Sequence, residues 1–292
     1  SPDRQMPYAW AWSAGISHQM FGHSAISVDY VGNASRDQLG VVDINEPVNG
    51  VRPGVAAFDP TGSLIPAEAR GVNFQRVLQS QTNSAFDGDY KSMQVSLVRR
   101  MANRWSGRLA YTLQRSNYVG TGNPDARRVW LDNDIRTDYG EFGSNRTNVL
   151  AASGSWNPWS SLTFATVVSA ISGAPINETV GRDVNGDLDN NDRPIRGIDD
   201  LAVPIRSELG DQGRAVPFGI RGPGSVTTDL SIRYQLPLGG RLDSLDFFVD
   251  FFNIFNRLNE VAPTGNRQSP NFMVATSANF ARQSQLGIRL RF

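Results

Sequence analysis

What most constrains this chain is a period of two that returns along its length, in segments joined by links that alternate between short and long. In the clearest segment Val226, Thr228, Leu230, Ile232, Tyr234 and Leu236 face Thr227, Asp229, Ser231, Arg233 and Gln235. Successive side chains of a strand point to opposite faces, so this stretch reads as a strand with one apolar and one polar side. The same reading applies to Tyr8 to Met20, to Ile26, Val28 and Tyr30, and to Met93, Val95 and Leu97 within Tyr90 to Arg100. It applies to Leu109, Tyr111 and Leu113, to Leu162 through Ala170, to Leu245 through Asn256 and to the last residues before Phe292. Thr147 to Trp156 is rich in small residues, and its facing is ambiguous. The expectation is an all-β, antiparallel fold of about nine strands without a convincing helix.

The links say what kind of β fold this is. Short ones are expected near Phe21 to His23, at Ala102-Asn103, at Asn157-Pro158 and at Pro237 to Arg241. Long ones fall at Asn33–Asp89, Asn117–Asn145, Ser172–Gly224 and Asn259–Ala281. Long loops kept to one end count against a compact soluble domain. They are what a transmembrane β-barrel shows, with tight periplasmic turns and long extracellular loops. On that reading the first strand descends, the ninth descends, and Phe292 reaches the periplasmic rim. Trp105, Trp156 and Trp159 sit beside short links, while Tyr8, Trp10, Trp12, Tyr30 and Tyr118 sit toward long ones. Aromatic rings favour membrane–water interfaces, so two girdles are expected.

Composition agrees. Lys+Arg and Asp+Glu both number 28, so no net charge draws the chain to nucleic acid. The sequence shows no apolar run of about 18 residues, which excludes a spanning helix and leaves spanning strands open. There is no cysteine, hence no disulfide framework or thiolate metal site. Ser1-Pro2-Asp3-Arg4 is not a signal peptide, and an exported chain needs one. The expectation is that the encoded protein begins upstream.

The final strand interleaves Leu286, Ile288, Leu290 and Phe292 with Gln285, Gly287, Arg289 and Arg291. Its order is similar to the C-terminal signal read by the barrel-assembly machinery of bacterial outer membranes, with Gln285, Gly287, Leu290 and Phe292 at the signal positions. Further motifs resemble the barrel of TonB-dependent receptors: Tyr30-Val31-Gly32, Asn45-Glu46-Pro47, Tyr90 through Leu97 followed by Arg99-Arg100, Tyr111-Thr112, and Phe251-Phe252-Asn253-Ile254-Phe255-Asn256. Gly181 to Asp187 with Asp192-Arg193-Pro194 resembles a loop of the Oar-like group, whose members carry a carboxypeptidase-regulatory-like domain. The resemblance implies a receptor that takes up a scarce solute across the outer membrane using energy relayed by TonB. Such a barrel has about 22 strands around a plug. Residues 1–292 therefore read as its C-terminal part, with the plug and N-terminal strands absent. A tenth strand at Phe272 to Phe280 would instead make a small closed barrel.

Two constellations carry candidate chemistry. Asp183, Asn185, Asp187, Asp189 and Asp192, with Gly186 among them, place oxygen ligands at intervals that can converge on Ca²⁺. The Gly precedes the third acidic position and no Glu closes the loop, so 183–192 is not an EF-hand; the bland reading is a solvated turn. Asp229, Arg233, Asp246, Asp250, Arg289 and Arg291 are expected to face the lumen, where they would meet plug or solute or form wall salt bridges. Ligand capture is expected on loops Asn33–Asp89 and Ser172–Gly224. His18 and His23 flank one turn, and no nucleophile–base arrangement accompanies them, so no enzyme is expected. The partners implied are outer-membrane lipid, the absent plug and strands, TonB, the assembly machinery and an unidentified solute. A passive porin-like or adhesive barrel is the alternative, and a soluble β-sandwich the third reading.

Overall fold

The computed structural model describes residues 5–20, 22–43, 78–82, 86–119, 139–182, 193–194, 219–239 and 242–292. The described elements are strands: β1 (Tyr8–Met20), β2 (Ser24–Arg36), β3 (Leu39–Asp43), β4 (Leu78–Thr82), β5 (Gly88–Ala102), β6 (Trp105–Val119) and β7 (Tyr139–Glu141). They continue as β8 (Asn148–Trp159), β9 (Leu162–Ile171), β10 (Pro175–Ile176), β11 (Ile220–Arg221), β12 (Ser225–Pro237), β13 (Ser244–Phe252) and β14 (Gln283–Arg291). One sheet runs β1-β2-β5-β6-β8-β9-β12-β13-β14, every neighbouring pair antiparallel, with β7 added to the end of β6. The hairpins β3–β4 and β10–β11 stand apart, both at the long-loop end.

Register carries one face across the whole sheet. The row Ile16, Val28, Val95, Tyr111 and Leu150 is joined strand to strand, as are Phe164, Ile232, Val249 and Leu286 farther along. This settles the facing of β8, which the sequence left open, and assigns that of β1. In β1 the apolar side is Trp10, Trp12, Ala14 and Ile16, and in β8 it is Leu150, Ala152, Gly154 and Trp156. The apolar side is the uncovered one. On interior strands Tyr30, Met93, Trp156 and Phe247 are 44%, 40%, 53% and 39% exposed. Among the described residues only Ala34, Phe86, Ile176 and Val180 are buried hydrophobics. A soluble chain of this length would bury roughly three quarters of its surface around a core, and among the described residues there is no such core.

Several boundaries differ from the sequence expectation. The β8–β9 link is at Ser160-Ser161, not at Asn157-Pro158, because β8 runs on to Trp159 through a bulge between Trp156 and Trp159. The bulge absorbs Pro158, whose missing N–H a regular ladder would not tolerate. The β5–β6 link is Asn103-Arg104, with both residues at positive φ (52° and 69°), the type I′ hairpin geometry. Strand β13 ends at Phe252 instead of Asn256, since Asn253 and Asn256 take φ of 50° and 51° and turn the chain away. Residues 272–280 form no strand; segment 253–282 is held by isolated bridges such as Glu260 with Ala278. The short strands β3, β4, β7, β10 and β11 went unread because they sit in loops without a sustained alternation.

Candidate functional site

The six charged residues singled out on the last wall strands lie on one face, opposite the apolar one. Asp229 and Arg233 are on β12, Asp246 and Asp250 on β13, Arg289 and Arg291 on β14, all at polar-face register positions. Asp29 of β2 and Arg108 of β6 share that face. At the short-turn end these residues form a chain of contacts. Gln235 Nε2 donates to Ser244 Oγ (3.1 Å), and Ser244 Oγ donates to Asp246 Oδ1 (3.2 Å). Arg291 Nη2 meets Asp246 Oδ2 at 2.8 Å, with the Asp246 side chain 2% exposed. Arg289 is the residue directly across from Asp246, yet the ion pair forms with Arg291, one diagonal step away. Such diagonal neighbours are within reach of long side chains.

At the other end Asp229 Oδ1 accepts the Asn253 backbone N–H at 2.9 Å, where β13 turns out of the sheet. Asn253 Oδ1 accepts Arg257 N–H, and its amide donates to the Arg257 and Phe280 carbonyls. Asn259, 1% exposed, bonds Val226 in both directions: Oδ1 accepts from Val226 N (2.8 Å) and Nδ2 donates to Val226 O (3.0 Å). The asparagines of the Phe-Asn-Ile-Phe-Asn motif, with Asn259, thus fasten segment 253–282 over the mouth of the last strands. A short amide that accepts αL geometry and offers both a donor and an acceptor suits this work.

Two arginine clusters at the long-loop end were not legible beforehand. Arg36 reaches Asp87 (3.6 Å) and Asp89 (3.1 Å), and Tyr139 OH donates to Asp89 Oδ2 at 3.0 Å. Burial and the neighbouring Asp89 push the Tyr139 phenol above its ordinary pKa. Arg221 joins Glu141 and Thr147 and donates to the Gly173 and Asn145 carbonyls. These contacts join residues 48 to 80 apart in sequence, and no local pattern marks them.

Among the signal positions of β14, Gln285 faces Asp250, Gly287 faces Phe248, Leu290 faces Leu245, and Phe292 lies just past the strand, 95% exposed. Gly287 has a steric reason to be glycine. The Phe248 ring covers it, and a Cβ there would stand 2.1 Å from Phe248 Cζ. The acidic positions Asp183, Asn185, Asp187, Asp189 and Asp192 lie outside the described residues, as does most of Asn33–Asp89 and Ser172–Gly224. Among the described residues no cluster of three or more His or acidic side chains could hold a metal ion.

Residues 1–285 match the family described as outer membrane beta barrel domain. A comparison with curated proteins gives no match. Solved structures match over the whole chain. The outer membrane transporter YddB from Escherichia coli aligns at TM-score 0.53 and 12% identity, covering 100% of this chain and 33% of that one. The ferric-catecholate import receptor Fiu of E. coli aligns at 0.54 and 10%, covering 100% and 29%. The siderophore receptor PiuA from Acinetobacter baumannii aligns at 0.54 and 9%, covering 97% and 28%. This chain therefore spans about a third or less of the proteins whose fold it shares.

Proposed function

The chain belongs to the outer membrane beta barrel domain family, and from that premise we propose that it is the C-terminal wall of a TonB-dependent receptor that imports a scarce solute. The observation that carries this reading is the pair of open edges. β1 pairs only with β2, and β14 only with β13, among the described residues. The outer N–H and C=O groups of these strands have no partner in hydrocarbon, where each unpaired group costs several kcal/mol. The wall is completed by further strands between β1 and β14, which is the arrangement of receptors several times its length.

In this reading the polar face lines the lumen, the short turns are periplasmic, and the charged residues from Asp29 to Arg291 meet water and a plug. The Oar-like affinity rests on the loop motifs around Gly181–Asp192. The loops 33–89 and 172–224 supply ligand contacts, and the acidic stretch 183–192 binds Ca²⁺ to stiffen one of them. Siderophore receptors among the fold relatives make a chelated metal one solute worth testing first.

The test is uptake by cells carrying or lacking the complete gene, with a panel of labelled ferric chelates, cobalamin, glycans and peptides. Energy-coupled import predicts accumulation that stops when a protonophore collapses the inner-membrane gradient or when TonB is deleted. Accumulation of any panel solute that persists without either would overturn the coupling and leave a passive barrel.

A further inference from the structure

The apolar face is not smooth. A groove of about 590 Å³ crosses it, floored by Gly107 and Gly154, which face each other across β6 and β8. Trp105, Trp156 and Phe164 form one bank, and Leu97 and Leu109 lie on the other. The Trp156 and Phe164 rings are stacked at 5.6 Å. The floor follows one register row: Arg99, Gly107, Gly154, Thr166, Leu230. Four interstrand steps of about 4.8 Å make this row roughly 19 Å long. The row is inclined to the membrane. Arg99 lies close to the short turn after Ala102, whereas Leu230 lies in the middle of β12.

The lower end of the groove is basic. The Arg99 guanidinium lies over the Trp105 ring, 4.0 Å from its centroid, and one of its nitrogens donates to the Ala102 carbonyl at 3.4 Å. Its Nε is buried without a hydrogen-bond partner. Arg104, in the adjoining turn, has its side chain on the Pro158 carbonyl. A cation on the membrane face of a barrel is costly unless it sits at the interface with a counter-charge. Here it stands at the foot of an apolar channel whose length suits an inclined acyl chain in one leaflet, about 15 Å deep.

We propose that this groove is a specific site for one anionic glycerophospholipid of the periplasmic leaflet, its phosphate on Arg99 and one acyl chain along Gly107 and Gly154. The inference rests on the short turns being periplasmic. The two glycines are what make room. A Cβ on Gly107 would meet nothing nearer than 3.6 Å, so larger side chains fit there and fill the channel. Trp105 and Trp156 shield the chain from the interface, and Arg99 selects the headgroup by charge-assisted hydrogen bonds.

The experiment is native mass spectrometry of the full-length protein purified from outer membranes, exchanged into detergent with equimolar phosphatidylglycerol and phosphatidylcholine. The wild type is expected to retain one phosphatidylglycerol. Gly107→Leu is expected to lose it, while Ala14→Leu, on the same face away from the groove, keeps it. Arg99→Gln is expected to lower the preference for phosphatidylglycerol about tenfold, the size of one lost charge-assisted contact. Cold-versus-boiled gel mobility reports whether each variant is a folded barrel, and if Gly107→Leu is not, Arg99→Gln decides. Equal retention of both lipids by wild type and Arg99→Gln, or equal phosphatidylglycerol retention by folded Gly107→Leu, would overturn the proposal. A wild type extracted without detergent would overturn the membrane reading beneath it instead.

Discussion

Replacing Arg291 with Ala should destabilise the wall more than replacing Asp246, although both changes break one ion pair. The asymmetry follows from exposure: the Asp246 side chain is 2% exposed and that of Arg291 44%. Unit charges near 4 Å attract by about 4 kcal/mol at an effective dielectric of 20. Solvent at Arg291 screens much of that, leaving about 1–2 kcal/mol of coupling. Arg291→Ala leaves a buried carboxylate with Ser244 Oγ as its remaining donor, so its desolvation adds to the loss and the total is about 2–4 kcal/mol. Asp246→Ala releases Arg291 to water, and the remaining loss is about 1 kcal/mol. The double variant should resemble Asp246→Ala, because removing the carboxylate removes what Arg291 neutralised. The measurement is the temperature at which the barrel band disappears in gel mobility of full-length protein heated in mild detergent. An Asp246→Ala transition lower than that of Arg291→Ala, or additive losses in the double variant, would refute the argument.

Three further outcomes follow from the same geometry. Ile16→Arg, on the apolar face of β1, should cost up to about 2–4 kcal/mol toward the membrane midplane, whereas Ser17→Arg on the polar face should stay within about 0.5 kcal/mol; equal folded fractions of the two variants in outer membranes would contradict the facing. Asn259→Ala removes both bonds to Val226 at a cost of about 1–3 kcal/mol, and limited proteolysis should then cut within 253–282; unchanged protection would show that other contacts hold the segment. Tyr139 favours its neutral phenol in the fold, so its stabilising contribution is whole below the ordinary phenol pKa of about 10 and is lost as pH rises through the elevated folded value. The phenolate absorbance missing from Tyr139→Phe should accordingly develop at higher pH than that of the unfolded protein, and coincident titrations would contradict the burial.

The strand faces were readable because alternation is local: Leu230, Ile232 and Tyr234 declare their side without reference to any partner. β8 resisted for the same reason, since Ala, Gly and Ser before Trp156 give little contrast, and only register against Phe164 settled it. The strand ends were misplaced where a backbone device intervened, as in the bulge of β8 and the left-handed Asn253. The charged polar face was legible as a set of residues. That Asp246 would choose Arg291 over Arg289 was not, because the choice depends on a diagonal across two strands.

By itself the sequence determined that the alternating segments are strands, that each strand has an apolar and a polar side, and that the long links crowd one end, all consequences of a side-chain period and of link lengths. Tertiary structure alone decided what meets what. Asn259 meets Val226 at 33 residues' separation, Arg221 meets Glu141 at 80, and Gly107 meets Gly154 across two strands to open a groove. Such encounters depend on the pairing register between strands distant in the chain, and register is a property of the assembled sheet that no single segment contains.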